Sequence, residues 1–201
     1  MPYSPVDICN LALSFIGEKQ IRSFDEDNIR SRLCKSSYDF YRDRLLSDFD
    51  WTFARKTAEI SLLDETHPEG SLYALPEDCL NPIELVPVYT PPRQFQIEDS
   101  KILIPTAYVP TYTGETLYLR YIYYLTNSKK FSIPFCEALA VTIASIICMP
   151  ITHDKDMADL LLKKVGGATV SAQQDDAEKR EDYKNPQNTP ENDDFNYYGD
   201  F

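Results

Sequence analysis

No two cysteines in this sequence are spaced for a metal site or a redox pair. Cys9, Cys34, Cys79, Cys136 and Cys148 are scattered and odd in number. That argues against a zinc ribbon or a disulfide framework, and for reduced, mostly buried thiols in a protein made in the cytoplasm. Histidine is scarcer still: His67 lies in the turn-like THPEG and His153 at an expected helix start. Cys148 and His153 are close in sequence, but Pro150 and a helix boundary separate them, so nothing holds such a base in line. Six glycines provide no phosphate-binding loop, and no G-x-S-x-G elbow occurs. Carboxylate pairs such as Glu77 with Asp78 and Asp175 with Asp176 are common in an acidic chain. Without an apolar pocket to raise one pKa, they read as solvated charge. The sequence nominates no catalytic residue, no cofactor and no metal ligand.

Positive charge is also short. Twenty Lys and Arg face 32 Asp and Glu, giving a net charge of −12 and a pI near 4.6. Such a chain is not built to grip phosphates, which takes clustered basic residues. It is suited to letting nucleic acid pass, because a like-charged surface repels DNA, but only a ring would make that relevant. The opening MPYSPVDICN has no basic segment and carries Asp7, so no signal peptide is expected. The longest uncharged apolar run, ALAVTIASIICMPI at 138–151, is short for a bilayer and contains Pro150. It reads as the core helix of a soluble protein, with no membrane partner.

The positive signals are helical at both ends. Ser4, Pro5 and Asp7 form a capping-box start, Ile8, Leu11, Ala12, Phe15 and Ile16 recur at helical spacing, and Gly17 supplies a left-handed stop. Asp25 or Asp27 caps a second helix to about Ser47, with Ile29, Leu33, Tyr38, Tyr41 and Leu45 sketching its apolar face. Arg30, Arg32, Lys35, Arg42 and Asp43 belong to its charged face, which suits either solvent or a neighbouring subunit. Trp51 and Phe53 then alternate as in an extended segment, a period that Ala58, Ile60 and Leu62 continue, and the lone indole reads as an anchor between helix and sheet.

From 67 to 126 the texture changes. Eight prolines there exclude long helices. Short strands are expected at 83–88, 93–97, 101–104 and 116–125, with a hairpin turn at EDSK, a glycine turn at TGE (113–115), and TLYLRYIYYL as the central strand. Ser132 and Pro134 then open a helix that Pro150 is expected to close. Thr152 caps a last helix bearing Met157, Leu160, Leu161 and Val165, interrupted or bent at Gly166 and Gly167. Beyond Ser171 the composition turns too polar to fold alone, yet Tyr183, Phe195, Tyr197, Tyr198 and Phe201 punctuate it. Those aromatics suit a docking arm, against the plainer reading of a solubilising tail.

Four of these segments resemble, in order, the tail tubular protein A family, the head-to-tail adaptors of short-tailed bacteriophages. They are NLALSFIG (10–17), RDRLL (42–46), WTFA (51–54) and YALPEDCL (73–80). They match the family's N-L-A-L-x-x-I/L-G, R-D-x-x-L, W-x-F-A and Y-x-L-P-x-D-C-L. The resemblance covers roughly the first 80 residues. It implies a structural virion protein at the head–tail junction with no catalysis of its own. That protein forms a ring, usually of twelve copies in such adaptors, below the portal protein, extends the DNA channel and receives the next tail or nozzle protein.

The expected fold is α+β, mainly α. An antiparallel helical bundle (1–66 and 127–183) carries a small antiparallel β-insertion (67–126) and an extended acidic C-terminal arm (184–201). Tyr183 and the four later aromatics would dock on portal or neighbour, the charged second helix would face an adjacent subunit, and Trp51 and Phe53 would be structural anchors. Two other classes stay open: an acidic interaction module, either a DNA mimic or chaperone-like, and a tail-associated hydrolase.

Overall fold

A computed structural model of the chain describes residues 3–86, 94–108 and 116–184, with side chains up to residue 180 apart from residue 108. Among the described residues the chain is mixed α and β, with four α-helices and two antiparallel sheets.

Helix α1 (Pro5–Phe15) starts as its sequence dictates. The Asp7 amide donates to Ser4 Oγ at 3.2 Å and the Ser4 amide donates back to the Asp7 carboxylate at 2.9 Å. It stops at Gly17, whose φ of 72° is left-handed. Its buried arc is Ile8, Cys9, Ala12, Leu13 and Ile16, a strip rotated from the expected one because α1 packs against both α2 and α3. Leu13 is therefore inside, while Phe15 is 37% exposed.

Helix α2 (Ile29–Ser47) is capped by Asn28, whose Oδ1 accepts from the Ser31 amide at 2.9 Å, and not by Asp25 or Asp27. The Glu26 carboxylate folds the preceding loop by accepting from the Arg22 and Ser23 amides, and Asn28 follows in the extended conformation of an N-cap. The inward face of α2 carries small residues, Ser31, Cys34 and Ser37, beside Tyr38, Leu45 and Leu46. Ile29, expected inside, is 46% exposed. Asn10 of α1 holds the intervening loop by pairing both amide atoms with the Ile21 backbone, at 2.8 and 2.9 Å.

Strands begin at Arg55, ahead of residue 67, because β-branched and alternating residues start there. One sheet has the order β1 (Arg55–Ile60), β7 (Leu117–Tyr123), β4 (Cys79–Val86). The other runs β2 (Leu62–His67), β3 (Gly70–Ala74), β6 (Lys101–Pro105), β5 (Gln96–Glu98). The chain changes sheets at Ser61, which ends the period of two and leaves Leu62 exposed. TLYLRYIYYL is central, as its composition predicts. Leu117, Leu119 and Tyr121 face the second sheet in a core with Ile60, Tyr73, Leu85, Ile102 and Ile104, whereas Ile122 on the opposite face joins the helical core. The three-stranded sheet is thus a layer shared by two cores. EDSK is a two-residue hairpin with Asp99 and Ser100 at φ 47° and 57°, the left-handed pair that suits strand twist. Pro82 sits in edge strand β4 beside a break in register. The expected strands at 83–88 and 93–97 lie partly, and the TGE turn wholly, outside the described residues.

Helix α3 (Ile133–Thr152) begins at Ser132, whose Oγ accepts from the Phe135 amide. It runs through Pro150 instead of closing there, since a proline in the last turn forfeits a single bond, and His153 at φ 55° ends it. At 20 residues and a mean hydropathy of 1.9, α3 is long and apolar enough to cross a membrane. Here it packs against α1, α2 and α4. Helix α4 (Lys155–Lys184) is capped by Asp154, which accepts from the Met157 amide at 2.9 Å. Thr152 instead turns its hydroxyl to the Cys148 carbonyl. The 30 residues are continuous across Gly166 and Gly167 and past Ser171, where composition alone suggested unfolding. Ala172 and Asp176, both buried, hold the later turns down.

Glycines make the packing testable in opposite directions. A Cβ on Gly70 would lie 2.0 Å from the Ile104 carbonyl oxygen, while one on Gly166 or Gly167 meets nothing within 4 Å. Gly70→Ala should therefore cost about 3 kcal/mol. Gly166→Ala with Gly167→Ala should stabilise by roughly 1–2 kcal/mol. Denaturant melts of the two variants check both signs.

Candidate interaction surfaces

The WTFA segment builds the junction between helices and sheets. It is not extended: Thr52–Ala54 form a 3-10 turn, which brings the Trp51 and Phe53 rings to 5.6 Å. Trp51 is fully buried, donates its indole N–H to the Leu45 carbonyl at 2.8 Å, and meets Phe49 and Phe135 edge-on at 5.0 Å each. The anchor expected of Trp51 and Phe53 is therefore an aromatic cluster joining α2, α3 and the start of β1.

Helix α4 is tied to the same place by charge. Asp176, 4% exposed, accepts from the Thr52 amide at 3.0 Å and its hydroxyl at 2.8 Å. Arg180 reaches Asp50 Oδ2 at 3.2 Å and the Asp50 carbonyl, and lies over the Phe49 ring. Asp50 is gripped from the other side by Arg55 through two bonds, at 2.9 and 2.5 Å. Asp176 is thus not the solvated charge its sequence neighbourhood suggested. The signal that points to it is the i,i+4 spacing of Asp176 and Arg180.

YALPEDCL also serves the fold. Tyr73 is buried between the sheets, and the Asp78 carboxylate receives Lys56 Nζ at 2.6 Å and Tyr121 Oη at 2.8 Å, linking β1, β7 and the turn before β4. Partial burial pushes the Asp78 carboxyl up, but those two bonds outweigh it and hold it below the usual carboxylate range.

The charged face of α2 is split. Arg42, 6% exposed, pairs with Asp39 at 2.6 Å and Asp43 at 2.8 Å and lies over Tyr38, so Arg42 and Asp43 are committed within the subunit. Arg30 pairs with Glu18 and Lys35 with Asp25. Arg32 is exposed and pairs with no carboxylate among the described residues. Tyr183 falls in the last turn of α4, and Phe195, Tyr197, Tyr198 and Phe201 lie outside the described residues.

One concavity was not foreseen. Helices α2 and α4 flank α3 and leave a groove of about 190 Å³, lined by Tyr41, Arg44 and Leu45 on one wall, Ile146 on the floor, and Leu162 and Val165 on the other wall. Ile146 and Leu162 are 42% and 62% exposed. Its residues come from three separate helices, none with a distinctive motif.

Chemistry is thin in the described residues. No group of three His, Cys, Asp or Glu side chains could hold a metal ion there. The Cys148 thiol contacts Thr152 and the Asp154 carbonyl, and burial pushes Cys79 and Cys136 up to about 11, far from a reactive thiolate. Comparison with protein-family models and with curated proteins finds no match for this chain.

Two outcomes test these junctions. Asp176→Ala should cost about 3 kcal/mol by stranding Thr52 and Arg180, with faster amide exchange confined first to residues after 168. For Asp78, a depressed folded pKa means its contribution is complete above the ordinary carboxylate range and lost as pH falls through the folded value. The stability gap between wild type and Asp78→Asn should therefore close on acidification below about pH 4, as read by melts across pH.

Proposed function

We propose that this chain is a structural head-to-tail adaptor of a short-tailed bacteriophage, acting without catalysis. In this reading it is made in the host cytoplasm and sits in the virion at the head–tail junction, as a ring, dodecameric as in such adaptors, below the portal protein. The ring extends the DNA channel and offers its far side to the next tail or nozzle protein. The helices act as a mainly α, antiparallel bundle forming the ring wall, the β-region lies toward the tail or the periphery, and residues 184–201 reach a neighbour or the portal. Genomic DNA passes through the lumen without specific binding.

One observation carries the reading: NLALSFIG, RDRLL, WTFA and YALPEDCL occur in the family's order, and each serves the scaffold. Asn10 pins the α1–α2 loop, Arg42 braces α2, Trp51 joins the helices to the sheet, and Asp78 ties β1 to β7. Residues devoted to holding surfaces in place suit a connector better than a hydrolase. The net charge of −12 suits a lumen along which DNA slides.

The test is native mass spectrometry and electron microscopy of the protein with and without the portal of its own phage. The expected result is a ring of this chain on the portal, weakened when residues 185–201 are removed. A chain that stays monomeric with portal present, and instead competes with DNA for a basic protein, would establish the acidic-module reading in its place.

A further inference from the structure

We propose that the α2–α4 groove is the seat of the chain's own aromatic segment FNYYGDF, residues 195–201. This does not rest on the adaptor reading. The groove has room for an aromatic ring: a cavity of ~150 Å³ takes benzene, and this one measures about 190 Å³. Its walls offer Tyr41, Ile146, Leu162 and Val165, apolar groups that no described residue covers at Leu162, 62% exposed, or Ile146, 42% exposed. Aromatic side chains gain most from such a site, through large apolar area and edge contacts.

The sign of this segment suits Arg44 as well. Arg44 at the rim is exposed and pairs with no carboxylate among the described residues. Residues 185–201 contain Glu191, Asp193, Asp194 and Asp200 and no lysine or arginine, so the segment carries the sign that Arg44 favours. Asp48 lines the same wall, which confines the attraction to the Arg44 side.

Reach decides between this chain and a second copy. At ~1.5 Å per residue, Thr169 and Leu162 lie roughly 22 and 33 Å back along α4 from Lys184. Phe195 is eleven residues beyond Lys184, a span of at most ~36–40 Å. That span is long enough for the first aromatic to reach the groove of its own subunit. Tethering gives it a local concentration of about millimolar, which a second copy at ordinary concentration does not match. The segment cannot occupy this groove and a portal or neighbour at once, so assembly would have to draw it out.

The test uses the full-length chain with methyl-labelled Ile, Leu and Val, comparing wild type with Phe195→Ser, Tyr197→Ser, Tyr198→Ser and Phe201→Ser combined. The expected result is a ring-current displacement of the Ile146, Leu162 and Val165 methyl resonances in wild type, lost in the serine variant and unchanged on dilution. Leu162→Lys, at an exposed position that folding tolerates, should abolish the displacement of the remaining two. Identical methyl positions in wild type and serine variant would overturn the proposal, and so would a displacement that vanishes on dilution together with a dimer mass. The adaptor reading would survive either failure, because ring formation on the portal is measured separately.

Discussion

The hydrogen bond from the Trp51 indole to the Leu45 carbonyl sets the geometry of the molecule. Leu45 lies in the last turn of α2, where carbonyls have no helical partner of their own, so the indole both completes the helix end and fixes its own ring. Full burial of an indole contributes about 5 kcal/mol by area, and here the ring is wedged between Phe49, Phe53 and Phe135. Those contacts determine where β1 leaves the helices, and β1 in turn sets the register of β7. Position is inherited outward from one side chain.

Around that apolar centre lies a polar collar. Arg55, Asp50, Arg180, Asp176 and Thr52 form an alternating chain in which each charge has an opposite neighbour. Partly buried pairs of this kind add less to stability than their distances suggest, because desolvation offsets attraction. Their contribution is specificity: they fix the angular position of α4 around α3 over a helix roughly 45 Å long. The groove beside α4 exists because that position is fixed while α2 and α4 remain apart over the floor of α3.

Local signals with a mechanism were legible in the sequence. Ser4 with Asp7, Gly17, EDSK, Ser132 with Pro134, and the central TLYLRYIYYL were readable because each rests on a few adjacent residues. Cap positions at Asn28 and Asp154 were missed where several acceptors compete and loop geometry chooses among them. Strands β2 and β3 carried charges and glycine that masked their period, and β3 takes its second partner, β6, from far along the chain, between Gly70↔Pro105 and Ala74↔Lys101. The run beyond Ser171 fell within the expected bundle bounds to 183, although its composition argued against folding alone, because its support, Thr52 and Asp50, is distant in sequence. Of the candidate site residues, Trp51 and Phe53 were legible as anchors, while Arg42 and Asp43 read as surface because their burial depends on how Tyr38 and the loop before α2 pack. The groove had no sequence signature, since it is a space left between elements.

Strand β7 gives the molecule a mechanical character. Successive residues of one strand enter two different cores, Leu119 and Tyr121 on one side and Ile122 on the other. Neither core can loosen without shifting a strand that the other is packed against. The helices and sheets are consequently coupled as a single cooperative block, and a load applied to the β-region is transmitted to the helices as rigid-body displacement before any strand is lost.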